Sequence, residues 1–339
     1  MDKAMWNRRD WILGSGAMGA GLALGGLPLS ALAQAPITVG FLYVGPRDDY
    51  GYNQAHAESA AVLKKMPGVK VVEEESVPET QAVQRSMQGM ISQDGATLLF
   101  PTSFGYFDPH ILAVAPKNPN VRFAHCGGLW TAGKHPTNAA SYFGYIEEAQ
   151  YLNGVVAGHM SKSKKIGFIA AKPIPQVLRN INAFLMGART VNPAATLQAI
   201  VINSWFDPQA AAQAGTALLD NGCDVLFGIM DEAAYLQVAE QRGAKAVMWN
   251  TDIRRYGPSA YISSIMVDFG PWYVEQVRRR LAGEWTPSED ILPMAKGVDR
   301  DAWGESVPPE VAAQADAARE KILGGWSPFT GEIKDSKGA

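Results

Sequence analysis

Two stretches of this sequence put aromatic rings just past an apolar run. Tyr50-Gly51-Tyr52-Asn53 follows the run at 37–44, and Trp205-Phe206-Asp207-Pro208 follows the run at 197–202. Two rings facing each other across a cleft stack a flat heteroaromatic ligand, worth about 0.5–1.5 kcal/mol beyond the area buried. Core packing is the alternative for each ring. Asn53 carries an amide, donor and acceptor together, that can read a base edge. Its alternative is to cap the helix that begins there. Asp252 can accept from two hydroxyls or an amine, or pair with Arg254 or Arg255.

Catalytic chemistry finds less support. The sequence has no G-x-S-x-G elbow, no H-E-x-x-H and no Walker loop. The five histidines share no metal-ligand spacing. His56 and Glu58 are two apart and do not face one another on a helix. His125 and Cys126 are adjacent, and neighbours on a strand point to opposite faces. Gly14-Ser15-Gly16-Ala17-Met18-Gly19 matches the dinucleotide pattern but lacks the strand and helix that pattern needs. The expectation is a non-enzyme with no cofactor and no metal. Cys126 and Cys223 fall in different halves and are expected as buried free thiols.

Composition agrees with that expectation. The chain has 339 residues, 47% hydrophobic and 19% charged, with 30 Lys plus Arg against 33 Asp plus Glu. No basic excess supports a nucleic-acid partner. The first residues read as an export address. Arg8-Arg9 precedes an uncharged stretch rich in Gly, Ala and Leu that ends in Ala31-Leu32-Ala33. Arg8-Arg9-Asp10-Trp11-Ile12-Leu13 resembles a twin-arginine signal, with the general secretory route and an uncleaved anchor as alternatives. Cleavage after Ala33 and a periplasmic location are the expectation.

The elements that must hold the rings alternate strand and helix. Strands are expected at 37–44, 70–75, 96–100, 121–124, 165–170, 197–202, 224–229, 246–250 and 261–266. Helices are expected at 53–66, from 78, and at 109–116, 147–161, 175–191, 208–220, 232–242, 271–281 and 311–323. This rhythm predicts βαβ units and parallel sheets. Ligands of such sheets bind outside the strands' carboxyl ends. Here those ends are 45–53, 101–107, 125–130, 171–176, 204–207, 230–232 and 250–254.

Several segments together resemble the basic membrane protein family, the purine nucleoside receptor A-like substrate-binding proteins of ABC transporters. The most specific is Glu147-Glu148-Ala149-Gln150-Tyr151-Leu152-Asn153-Gly154, followed by Gly167-Phe168-Ile169, Pro173, Pro175, Arg179, Phe184, Gly187 and Val191-Asn192-Pro193. Tyr52-Asn53-Gln54-Ala55, Trp205-Phe206-Asp207-Pro208 and Phe329-Thr330-Gly331-Glu332 add weaker matches. The resemblance implies a two-lobed type I periplasmic-binding-protein fold of class α/β, each lobe a mainly parallel sheet flanked by helices. Residues 36–145 plus about 253–285 would form lobe I. Residues 146–252 plus about 286–325 would form lobe II, and 326–339 a tail.

The resemblance also implies a purine base or nucleoside held between Tyr52 and Phe206. Asn53 would then sit on the base and Asp252 on the sugar. Trp130 and Trp205 are further candidate rings, and Asp231 a further polar contact. An ABC permease in the inner membrane is the implied partner, and the protein is expected as a monomer. A ligand sensor for a membrane receptor and an exported enzyme are the rival readings. Three positions depart from the family's pattern. His125-Cys126-Gly127-Gly128 stands where a base-reading Asp is usual. Ile229-Met230-Asp231-Glu232 replaces a Gly-rich loop, and Met266-Val267-Asp268 lacks the Lys expected there.

Overall fold

The computed structural model describes residues 36–330. The expected export signal and residues 331–339 of the expected tail lie outside the described residues. In the first half, Ile37–Leu42 (β1) leads to Tyr52–Ala60 (α1), Val69–Glu74 (β2), Gln81–Ser92 (α2) and Ala96–Pro101 (β3). Then come Leu112–Val114 (α3), Arg122–Cys126 (β4) and Ala139–Gly144 (β5). The second half runs Glu147–Met160 (α4), Lys165–Ala170 (β6), Pro175–Val191 (α5), Thr196–Val201 (β7) and Pro208–Asp220 (α6). It continues with Val225–Ile229 (β8), Ala234–Gln241 (α7), Lys245–Asn250 (β9) and Tyr261–Val267 (β10). Gly270–Ala282 (α8), Glu289–Leu292 (β11), Val298–Arg300 (β12) and Pro309–Leu323 (α9) complete the described chain.

Two six-stranded sheets result, ordered β2-β1-β3-β4-β5-β11 and β7-β6-β8-β9-β10-β12. All pairings are parallel except β10 with β12. β1, β3 and β8 are mostly apolar, as inner strands covered by helices on both faces tend to be. The expected α/β class with two mainly parallel sheets is what the chain forms. In each sheet the first strand sits between the second and third, which opens a crevice at its carboxyl end.

The lobe boundaries differ from the sequence expectation. Residues 253–285 do not stay together. β10 pairs in parallel with β9 and joins the second sheet, while α8 packs on α1 of the first lobe. β11 then pairs with β5 in the first sheet, and β12 returns to the second. Strand pattern identifies β10 as a strand but says nothing of which sheet it joins. β5, β11 and β12 have no counterpart in the expected elements. β5 opens with Ala-Ala-Ser and β11 is a short Glu-Asp-Ile-Leu edge, so neither shows a marked apolar run. The expected helix at 109–116 forms as one continuous helical stretch of mixed type, a π turn at Phe107–Ile111, α3, and a 3-10 turn at Ala115–Lys117.

The chain therefore crosses between lobes three times, and the crossings touch. Tyr145 N–H donates to Leu292 O at 3.0 Å, and Asp268 N–H donates to Gly297 O at 2.7 Å. Met294 N–H donates to a Glu148 carboxylate oxygen at 3.0 Å. A Cβ on Gly144 would lie 3.2 Å from Val267 and 3.5 Å from Val298, so all three crossings pack at one point.

Within lobe II, α4 and α5 approach at backbone distance. A Cβ on Gly187 would stand 2.1 Å from Tyr151 O, and one on Gly154 2.0 Å from Phe184 O. Neither carbonyl can yield without parting the helices. Among the described residues no helix is long and apolar enough to cross a membrane. Gly187→Ala should destabilise by about 1–3 kcal/mol through overpacking. Gly89→Ala, in α2 with nothing within 4 Å of the new methyl, should stabilise by about 0.5–1 kcal/mol. Paired denaturant melts check that the same substitution has opposite signs at these two positions.

Candidate functional site

The carboxyl ends of β1, β3 and β4 face those of β6, β8 and β9 across an interlobe cavity. Lobe I contributes Val44, Tyr52, Ser103, Phe104, Cys126 and Phe143 to its wall. Lobe II contributes Ile174, Gln176, Val177, Asn180, Trp205, Ile229 and Trp249. Apolar walls with a few polar groups are the makeup of a small-molecule site. A wider outer cleft adjoins it, lined by Gly45, Pro46, Asn53, Glu79, Lys172 and Asn203 to Phe206 among others.

The loop before α1 sets the position of Tyr52. Asp49 Oδ1 accepts from Gly51 and Gln54 N–H, and its Oδ2 from Asn53 N–H and Asn53 Nδ2. Tyr50 is held at φ 62°. Tyr52 then donates its hydroxyl to Thr102 O and its N–H to Asp231 Oδ1 at 2.7 Å. Trp249 Nε1 donates to that same oxygen at 2.7 Å. The Tyr52 and Trp249 rings lie nearly parallel, 16° apart with centroids at 5.9 Å.

In the second stretch, Asp207 caps α6 by accepting from Ala210 N–H at 2.9 Å, and Pro208 occupies the first turn. Just before the cap, Trp205 lines the inner cavity and Phe206 does not. Lys172 sits over the Trp205 ring at 5.5 Å and pairs with Glu79 of lobe I across the mouth. Glu79 also accepts from Ser103 Oγ and Gly105 N–H.

The structure distributes the expected residues unevenly. Tyr52 and Trp205 line the cavity, and Asp231 stands directly behind Tyr52 and Trp249. Phe206 is 41% exposed in the outer cleft. Asn53 is buried, with Oδ1 accepting from Val44 N–H and Nδ2 given to Asp49, so its amide binds the loop. Asp252 is exposed, ion-paired with Arg254 at 2.9 Å, and lines neither space. Trp130 packs in the core on the far face of lobe I and donates to Pro136 O.

Trp249, Gln176, Asn180, Phe104 and Phe143 were not singled out from sequence. Gln176 and Phe104 fall inside the strand-end stretches, and Trp249 lies one residue before one. That positional rule was the available signal. Asn180 follows Gln176 by one helical turn on α5.

Electrostatics oppose nucleophilic chemistry here. Burial pushes the Cys126 thiol up to about 12, and burial holds His125 down at about 4. Cys126 lines the cavity while His125 turns to Phe107 and Ser103 O, opposite faces of β4 as expected. Both cysteines are buried and unpaired. No cluster suited to a metal ion occurs among the described residues. Burial, with Asp49 nearby, raises Asp231 well above the usual carboxylate range.

The chain was compared with known proteins. The family described as ABC transporter substrate-binding protein PnrA-like matches residues 37–299. A purine-binding protein of Brucella abortus (strain 2308) is 36% identical over 323 residues, covering 94% of this chain and 90% of the relative. A Haloferax volcanii protein, provisionally named an ABC transporter glucose-binding protein, is 33% identical over 289 residues, covering 85% and 72%. Among solved structures, an ABC transporter solute-binding protein of Aeropyrum pernix K1 superposes with a TM-score of 0.71 at 22% identity, covering 86% of this chain and 92% of that one. That likeness speaks to the fold, which is the type I periplasmic-binding-protein architecture.

Beside Asp231, burial lifts Glu232 to about 8 despite hydrogen bonds from Ala234 and Tyr235 N–H. A carboxyl raised on folding binds more protons in the native state, so its contribution is lost as pH rises. The stability of Glu232→Gln relative to the parent should therefore grow from about pH 4.5 to about pH 8. Urea melts across that range test this; a difference that stays flat overturns it.

Proposed function

This chain belongs to the PnrA-like family of ABC transporter substrate-binding proteins, and on that footing we propose that it captures a purine-type solute between its lobes. The solute is then delivered to an ABC permease in the membrane. The observation that carries the ligand reading is the interlobe cavity walled by Tyr52, Trp205 and Trp249. Indole and phenol rings suit the face of a flat heteroaromatic ring. The purine-binding name of the Brucella relative supports the same chemistry. The proposed protein is exported and acts outside the cytoplasmic membrane, as importer-linked binding proteins do.

Its work is differential affinity. Ligand favours the closed lobes, and a permease that recognises the closed form reads the loaded state. Thr251 Oγ1 donating to Tyr50 O, Gln176 Nε2 donating to Gly127 O and the Lys172–Glu79 pair are interlobe bonds that such closure uses. These bonds and the ligand share one gap, so each stabilises the other. The rival sensor reading uses the same cavity and differs only in the membrane partner.

The test is a thermal-shift panel of purine bases, nucleosides, sugars and amino acids on protein denatured and refolded to remove carried ligand. Ligand at 100 times its dissociation constant should add about 2.7 kcal/mol of stability. Trp205→Ala should weaken binding at least tenfold while leaving the ligand-free melt within a few degrees. No shift with any purine would overturn the ligand reading.

A further inference from the structure

The cavity wall holds few polar atoms, and their identities are fixed by what their neighbours already use. Gln176 Nε2 donates to Gly127 O at 2.9 Å. A carbonyl only accepts, so the amide nitrogen must face it and Gln176 Oε1 is left without a partner. Asn180 Nδ2 donates to the Gln176 backbone O at 2.6 Å, which likewise leaves Asn180 Oδ1. Trp205 Nε1 has no partner either, and an indole N–H is a donor only. Gln176 is 8% exposed and Asn180 2%. All three side chains line the same cavity. Gln176 and Asn180 are one turn apart on α5, so their oxygens share one helix face. Asp231 Oδ2, behind Tyr52 and Trp249, is also unpartnered.

Buried polar atoms are normally hydrogen-bonded, and leaving one without a partner is costly. A ligand that fits therefore brings N–H or O–H donors for two amide oxygens and an acceptor for one indole. It can bring little else that is polar, because the rest of this wall is rings, aliphatic carbon, the Cys126 thiol and two hydroxyls already donated, Tyr52 to Thr102 O and Ser103 to Glu79. A hexose carries a hydroxyl on nearly every carbon and would leave most of them unpaired. A nucleoside adds ribose hydroxyls to the needs of its base, and Asp252, the carboxylate expected for them, is committed to Arg254 outside the cavity. An amino-bearing purine base has the matching pattern: exocyclic N–H donors, a ring N–H and ring-nitrogen acceptors on an apolar disc.

We propose that the ligand is a sugar-free purine base carrying an amino group, whose N–H donors are read by Gln176 Oε1 and Asn180 Oδ1. The inference rests on the purine reading above and narrows it. Gln176 and Asn180 are then the specificity-determining residues of the cleft. Tyr52, Trp205 and Trp249 hold the ring without distinguishing its substituents.

Calorimetric titration of the refolded protein with adenine, unsubstituted purine, adenosine and glucose tests it. Adenine should bind at least tenfold tighter than purine, with adenosine and glucose weaker still. Asn180→Leu should lower adenine affinity about tenfold or more while changing purine little, so the preference collapses. A role for Asn180 in folding alone would weaken both ligands together. The wild-type comparison stands even if the variant does not fold. Purine equal to adenine, or adenosine as tight as adenine, overturns the narrower inference and leaves the purine reading standing. Binding of glucose alone, or of no purine, overturns both.

Discussion

Asp231 Oδ1 accepts one hydrogen bond from each lobe, from the Tyr52 backbone N–H and from the Trp249 indole. That shared acceptor sets the two rings nearly parallel and fixes the start of α1 against the loop after β8. The close approach leaves no room for a side chain at position 51, where a Cβ would stand 2.5 Å from the carboxylate. Tyr50 at φ 62° and Asn250 at φ 66° lie on either side of the same contact. Strained backbone at a junction of this kind persists because surrounding bonds over-determine it. Here those bonds are the Asp49 clamp on one lobe and the end of β9 on the other.

On one side the lobes are joined by the chain crossings. Those crossings pack at Gly144, Val267 and Val298 and are bonded to one another. The opposite side is left to side-chain bonds: Lys172 to Glu79, Gln176 to Gly127, and Thr251 to Tyr50. Each is individually modest.

Much of this architecture is legible in the sequence. Short apolar runs separated by helical spacing identify the inner strands and the parallel class, and the strand-end rule marks most stretches that line the cavity. The parts that resist reading are those decided by a partner far along the chain. β11 is four polar-leaning residues that form a strand only because β5 has a free edge. β10 is visible as a strand, but its sheet is set by β9. The same limit governs the site. Asn53 has the chemistry to read a base, yet Asp49 and Val44 take its amide. Asp252 has the chemistry to hold a sugar, yet Arg254 is two residues away and takes it. Phe206 and Trp205 are both rings, and only Trp205 lines the inner cavity.

Residue type thus limits what a position can do, and local competition for its polar atoms decides what it does. Gln176 and Asn180 illustrate the converse. Neither stands in a recognisable motif. Each spends its amide nitrogen on a backbone carbonyl and keeps its oxygen free at the cavity wall. A free acceptor in water selects little, because water fills it. Enclosed among Trp205, Trp249, Phe104 and Phe143, the same oxygen is expensive to leave unpaired and discriminates by what cannot satisfy it. Under the proposed function capture and selection are one event: a closure that excludes water from the rings also makes the few remaining polar atoms exacting.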